Sequence, residues 1–136
     1  MDPFPLWCGR VAVTVFFALA FAQSAVDKLV DRQGNLAYFS GHFATSPLRH
    51  LVVPLFWAIT LLEAVAGLLC SLGAVGMILG LGAGLALWGL LCALLSLLCL
   101  FFGQRLAKDY AGAVVIASYM AVALIGLGFF ALKSTP

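Results

Sequence analysis

The sequence predicts an all-α fold, an integral membrane bundle of four helices. Of its 136 residues, 65% are hydrophobic and only 9% are charged, whereas soluble domains carry about 25% charged residues. Four apolar segments each reach the ~20 residues that a helix needs to cross a hydrocarbon core of ~30 Å. The alternating pattern of a membrane β-barrel does not occur in the sequence. The segments run over residues 7–30, 51–72, 76–102 and 110–132, in a single transmembrane domain of residues 1–136.

The first segment is apolar at its start and ends in a polar stretch, AFAQSAVDKLVDRQGN. The tripeptide AFA within it resembles the cleavage site of a secretory signal. However, Asp2 and the lack of a basic residue before Arg10 are not typical of a signal peptide. We therefore expect a membrane helix that stays on the chain.

The longest connection, residues 31–50, contains LAYFSGHFATSPLRH. Leu36, Phe39 and Phe43 are spaced so that a short interfacial helix could place them at the membrane surface. An ordered cap over the mouth of the bundle explains the same residues, and both alternatives stay open. The second connection is expected to be a tight turn near Ser71 and Gly73, and the third, GQRLAKD, is short and polar.

The few basic residues predict an orientation in the membrane. Five lie in or beside the first and third connections, whereas two, Arg10 and Lys133, lie on the opposite side. The positive-inside rule therefore places the first and third connections in the cytoplasm and both termini outside. A formal charge of +2 without a dense basic block excludes nucleic acid as an expected partner.

Polar residues inside the apolar segments mark a candidate site. Counted from the face of the first and third connections, Glu63 and Tyr119 lie about 13 Å deep, Gln23 about 10 Å and Lys28 about 3 Å. Because a carboxylate in lipid is very unfavourable, we expect Glu63 to face the bundle interior. Gln23, Ser24 and Tyr119 would share its pocket, and Lys28 would supply charge at the mouth rather than a direct partner. A hydrogen-bond anchor, a quinone or proton site, and an ion pathway all remain open for this pocket.

Two rows of small residues at four-residue spacing predict close helix packing, either within the bundle or against another subunit. They are Gly76, Gly80 and Gly84 in the third segment, and Ala113, Ala117 and Ala121 in the fourth. In the third connection, Arg105 and Lys108 are expected to anchor the loop or to contact anionic lipid headgroups.

The remaining motifs point away from catalysis. There is no nucleotide loop, nucleophile–base pair or metal-ligand motif in the sequence. There is also no Cys-x-x-Cys pair. A disulfide between Cys8 and Cys70 stays open, and otherwise the cysteines are expected to serve as small packing residues. We therefore expect no catalytic residue, no metal and no cofactor, with a bound lipid or quinone as the one ligand left open.

The polar end of the first segment, FAQSAVDKLVD, and LLEAVAGLLCSLG in the second resemble the DoxX family of small four-helix membrane proteins. In that family a small or polar residue precedes a Lys-Leu pair in helix one, and a Glu followed by a Gly-rich stretch lies in helix two. The resemblance covers nearly the whole chain, including QRLAKDYAGAVVIASYMAVALIGL. The matching positions here are Ser24, Lys28, Leu29, Glu63, Gly67 and Gly73.

The resemblance implies a partner of redox proteins in a bacterial cytoplasmic membrane, because family members accompany a terminal quinol oxidase or thiosulfate–quinone oxidoreduction. The leading hypothesis is an accessory subunit of a larger membrane redox or energy-converting complex, with membrane lipids and other subunits as partners. One alternative is a quinone- or proton-handling subunit of a membrane oxidoreductase. Another is a small transporter, although no internal inverted repeat is evident.

Overall fold

The computed structural model describes residues 3–133 and is built of α-helices. Among these residues there are five helices and no strand, which confirms the predicted all-α class. Four of the helices are long and apolar enough to cross a membrane, so the chain is an integral membrane protein. The helices are α1 (Pro3–Val30), α2 (Arg32–His42), α3 (Val52–Ile78), α4 (Gly84–Leu106) and α5 (Tyr110–Ala131).

The four long helices form a ring in chain order. α1 packs on α3, α3 on α4, α4 on α5, and α5 closes the ring against α1. Across one diagonal α1 also touches α4, whereas α3 and α5 make no contact across the other within the described residues. The core lies along the diagonal on which α1 touches α4. There buried aromatic and aliphatic side chains pack against alanines: Phe17, Phe21, Leu90, Leu97, Ala66, Ala93 and Ala123.

The turn between α3 and α4 lies later than the sequence predicted. α3 continues through Ser71 and Gly73 to Ile78, because the Ser71 hydroxyl donates to the Gly67 carbonyl at 2.7 Å and so remains satisfied inside the helix. Gly73 is buried, and a Cβ there would collide with Ala86 of α4. Residues typical of turns therefore serve a helix–helix contact here.

The predicted glycine row of the third segment is wrong. Gly80 lies beyond the end of α3 with φ of 73°, and a Cβ on it would meet nothing within 4 Å. Leu81 N–H donates to the Gly76 carbonyl at 2.8 Å and Gly80 N–H to the Met77 carbonyl at 3.3 Å, the pattern of a Schellman cap. Gly80 is thus needed for its left-handed backbone, and Gly84 is the first residue of α4, with open space around it.

The alanine row of α5 is only partly buried. Ala113 is buried, but Ala117 and Ala121 are exposed. The residues of α5 that pack inside the bundle are instead Ala123 and Gly126, together with Ala113. The row therefore contributes little to packing within this chain.

The connection of residues 31–50 contains α2, a helix that packs against the bundle. The Phe39 ring lies 6.0 Å from the Phe56 ring of α3, and Phe43 approaches Gly103 of α4. The Asp31 side chain caps the helix by accepting from Gly34 N–H at 3.2 Å. Since Phe39 and Phe43 face α3 and α4, this segment acts as a cap over the end of the bundle.

The connection between α4 and α5 is a second Schellman cap. Asp109 N–H donates to the Gln104 carbonyl at 3.0 Å and Lys108 N–H to the Arg105 carbonyl at 3.2 Å. Here the left-handed position is held by Lys108, with φ of 57°. Asp109 then starts α5, since its carboxylate accepts from Gly112 N–H at 2.8 Å.

Candidate functional site

The register between α1 and α3 is set by a close backbone contact. Gly67 of α3 is buried against α1, where a Cβ would lie only 2.7 Å from the Ala22 nitrogen. A side chain at this position would separate the two helices, whereas glycine lets their backbones approach. Gly67 therefore lies level with Ala22.

This register determines which polar residues meet. Towards the first connection, Glu63 lies about 6 Å from the level of Gly67 along the axis, Ser24 about 3 Å from the level of Ala22 and Lys28 about 9 Å. Since the helices are antiparallel, Glu63 comes between Ser24 and Lys28. The four-residue spacing of Ser24 and Lys28 puts both side chains on the face of α1 that meets α3.

The three side chains form a closed polar cluster, which we call the Ser24–Lys28–Glu63 cluster. Lys28 Nζ lies 2.8 Å from Glu63 Oε2. The same ammonium donates to Ser24 Oγ at 2.7 Å, and the Ser24 hydroxyl donates to Glu63 Oε2 at 3.2 Å. Glu63 is 2% exposed and Lys28 7%, so two opposite charges are held out of water in direct contact.

Lys28 is a direct partner of Glu63, which corrects the expectation that it stays at the mouth. The depth of Lys28, counted from the helix ends, was wrong because the ends of α1 and α3 do not lie at the same level. From the level of Glu63, α3 runs about 16 Å to Val52, but α1 runs only about 6 Å to Val30. α3 therefore continues about 10 Å past the end of α1, and Lys28 is deeper in the bundle than its place in α1 indicates.

Two predicted members lie outside this cluster. Gln23 is exposed, because it is rotated by 100° from Ser24 around α1. Tyr119 is 37% exposed, and its ring lies 5.7 Å from the Phe16 ring. Tyr119 belongs to α5, which does not contact α3 within the described residues, so it packs on α1 near Phe16 and not beside Glu63.

The cluster can hold charge and fix register, and its members satisfy one another. No buried side-chain nitrogen or oxygen in residues 3–133 lacks a hydrogen-bond partner. The other buried hydroxyls in the helices donate to a backbone carbonyl of their own helix: Thr14 to that of Arg10, Thr60 to that of Phe56 and Ser96 to that of Cys92. The cluster is thus a polar cross-link between α1 and α3.

A second polar cluster joins the cap to the third connection. His42 Nε2 lies 2.7 Å from Gln104 Oε1 and 3.6 Å from Asp109 Oδ2. These residues come from α2, α4 and the start of α5, so the contact fastens three elements at one end of the bundle. In the sequence, only the positions of His42 and Gln104 near helix ends indicate such a role.

Arg10 has a structural role that was not predicted from the sequence. Its Nε donates to the Phe129 carbonyl at 2.8 Å and its Nη2 to the Leu132 carbonyl at 2.7 Å. These carbonyls lie at the end of α5, where the helix offers no internal donor and carries a partial negative charge. An arginine about 10 Å inside α1 needs such a partner, and this was the signal available in the sequence.

The other residues selected from the sequence are placed as follows. Arg105 is exposed, with its guanidinium 4.6 Å from the centre of the Tyr110 ring. Lys108 is exposed at the left-handed position described above. Cys8 and Cys70, the pair for which a disulfide stayed open, are both free. The described residues contain no group of three or more His, Cys, Asp or Glu side chains that could hold a metal ion.

The fold and the cluster define a small integral membrane protein of the helical-bundle class, with a buried ion pair between two spanning helices. No family model, curated protein or solved structure matches the chain.

Proposed function

We propose that the protein is an accessory subunit of the DoxX family that docks onto a larger membrane redox or energy-converting complex. It would be a bundle of structural rather than catalytic function. The bacterial cytoplasmic membrane is the proposed location, with the α1–α3 and α4–α5 connections in the cytoplasm. The resemblance of the segments around Lys28 and Glu63 to that family supports this proposal, as does the excess of basic residues beside those connections.

The observation that carries the proposal is an exposed seam on α5. Val114, Ser118, Ala121, Ile125 and Gly128 recur at alternating spacings of four and three residues, and all are exposed. This spacing is that of a helix–helix seam. Three of the five residues are small, as at the interfaces where membrane helices approach closely, and the space beside Gly128 is open.

The Ser24–Lys28–Glu63 cluster supports the same conclusion because its three side chains bond to one another. Lys28 and Glu63 neutralise each other while Ser24 bonds to both. A group that handled protons or a quinone would need a donor or acceptor directed at the ligand. The cluster is therefore best explained as the anchor that keeps α1 and α3 in register.

Purification from the native membrane in a mild detergent, followed by mass spectrometry of the intact assembly, tests the proposal. We expect a stable complex with other membrane subunits. Ala121→Ile adds bulk to the seam and should release the protein from that complex while the bundle itself stays folded. The matched control is Ala12→Ile, at an exposed alanine of α1, which should leave assembly intact. A wild-type protein recovered only as a monomer or homodimer would refute the docking function.

The proposed orientation has a separate test. In a variant whose four native cysteines are replaced by alanine, Thr45→Cys places a thiol in the exposed connection before α3. We expect a membrane-impermeant reagent added outside the cell to leave it unmodified. Lys133→Cys, at the opposite end of the bundle, should react under the same conditions. The reverse pattern would invert the orientation.

A further inference from the structure

An apolar cavity of about 290 Å³ lies between the cap and the ends of α3 and α4. It is separate from the Ser24–Lys28–Glu63 cluster, none of whose residues line it. Its volume is close to the lower limit of the ~300–1,000 Å³ found for small-ligand sites. Six of its lining residues show its character: Phe39 and Phe43 from the α2 side, Phe56, Ile59 and Leu62 from α3, and Leu100 from α4.

The lining of the cavity along α3 is about as long as one leaflet of a bilayer is deep. Along α3 its lining runs from Val52 to Leu62, which is about 15 Å at 1.5 Å per residue. Half of a ~30 Å hydrocarbon core is also about 15 Å. α3 and α4 both span the membrane, so the medium beside them is acyl chains. A volume of about 290 Å³ spread over this length suits one such chain, whereas a helix of ~10–12 Å diameter would need a larger volume.

The end of the cavity nearest the third connection is polar and flanked by positive charge. Gln104 lines the cavity at this end, with its amide oxygen held 2.7 Å from His42 Nε2 and its amide nitrogen close to Gly112 of α5. Arg49 follows the lining residue Leu48 and donates from Nε to His50 Nε2 at 3.0 Å, and Arg105 follows Gln104 with its guanidinium 4.6 Å from the centre of the Tyr110 ring. Both arginines are exposed, and binding a phosphate would require them to leave these contacts. Each guanidinium carries five donors in a fork that matches a phosphate.

We propose that this cavity is a binding site for a single anionic phospholipid of the leaflet on the side of the α1–α3 connection. One acyl chain occupies the apolar space, and the phosphate binds between Arg49 and Arg105. The cap would thereby be joined to α3 and α4 through the lipid as well as through its own side chains. This site is independent of the docking seam on α5, which lies on a different helix.

The experiment is a measurement of lipid retained by the whole protein after purification from nanodiscs of mixed phosphatidylglycerol and phosphatidylcholine. We expect about one phosphatidylglycerol per chain to survive extensive detergent washing. Ile59→Trp fills the cavity and should remove that lipid. Leu61→Trp, an exposed residue on the opposite side of α3, is the matched control and should retain it.

The headgroup preference is tested by the pair of changes Arg49→Gln and Arg105→Gln. Each basic residue near an anionic lipid surface is worth roughly a fivefold gain in affinity, so both changes together should abolish most of the preference for phosphatidylglycerol. Lys133→Gln, at the far end of the bundle, should leave it unchanged. Equal retention of neutral and anionic lipid by the wild type would overturn the proposal, as would a retained quinone in place of the phospholipid.

A measurement on the wild-type chain covers the case in which Ile59→Trp fails to fold. A phosphatidylglycerol that carries a photoreactive diazirine on its acyl chain should crosslink to the peptides that contain Ile59, Leu62 and Leu100. Crosslinks spread evenly over the exposed faces of α1 and α5 would show general bilayer contact and would overturn a defined site.

Discussion

Lys28 Nζ and Glu63 Oε2 lie 2.8 Å apart, and their side chains are 9% and 2% exposed. Charges held this far from water depend on each other, because removal of one leaves the other unpaired at low dielectric. Ser24 connects the two through one hydrogen bond to each. This relationship gives the first prediction.

Glu63→Leu should be strongly destabilising, by about 3 kcal/mol or more in the free energy of unfolding, since Lys28 is left without its counterion. Glu63→Gln should cost less, because the amide still accepts hydrogen bonds. The double change Lys28→Leu with Glu63→Leu should recover most of the loss, as no charge is then buried. The measurement is a double-mutant cycle on unfolding in detergent micelles, with Asp27→Leu as an exposed control. Independent, additive losses at the two positions would contradict the ion-pair anchor.

The end of α5 should depend on Arg10. Arg10→Met removes the donors to the Phe129 and Leu132 carbonyls, and hydrogen bonds from charged groups are worth about 1.5–3 kcal/mol each. We expect amide hydrogen exchange over residues 126–133 to accelerate by roughly tenfold or more. Arg10→Lys, which keeps the charge but not the fork, should give an intermediate rate. Lys133→Met should leave exchange unchanged, and protection unaffected by Arg10→Met would refute the capping role.

Two glycines three residues apart on α3 should respond differently to alanine. A Cβ on Gly73 would collide with the Ala86 backbone, whereas a Cβ on Gly76 comes no closer than 3.7 Å to the Gly82 oxygen. Gly73→Ala should therefore destabilise the bundle by about 1–3 kcal/mol through overpacking. Gly76→Ala should be neutral or stabilise it by up to about 1 kcal/mol, because alanine favours a helix interior. Thermal unfolding of both variants checks this, and equal effects would show that α3 and α4 are not in close contact.

The two Schellman caps allow a reciprocal exchange of residues. Lys108 has φ of 57° and Gly80 φ of 73°, a region that costs a residue with a Cβ roughly 1–2 kcal/mol. Lys108→Gly should raise the thermal midpoint, and Gly80→Ala should lower it although the space around Gly80 is open. A shift of the same sign in both variants would mean that backbone conformation does not limit either cap.

The sequence by itself determined the fold class and the number of spanning helices. Segments of about 20 apolar residues have no other satisfactory structure in lipid, since every backbone group must find a partner within its own segment. It also indicated that Glu63 turns inward and that Ser24 lies near it, because an intramembrane carboxylate needs polar company. These conclusions require only the chemistry of single side chains and the helical period.

The tertiary structure alone decided the partners and the register. Lys28 pairs with Glu63 because the contact of Gly67 with Ala22 brings the two side chains to the same level. The identities of Lys28 and Glu63 do not predict that contact. The same small residues suit turns, caps and close helix packing. The sequence could therefore not tell that Gly73 packs against α4 while Gly80 ends α3. Which of these roles a glycine takes depends on the distance to a neighbouring backbone, and that distance exists only once the helices have packed.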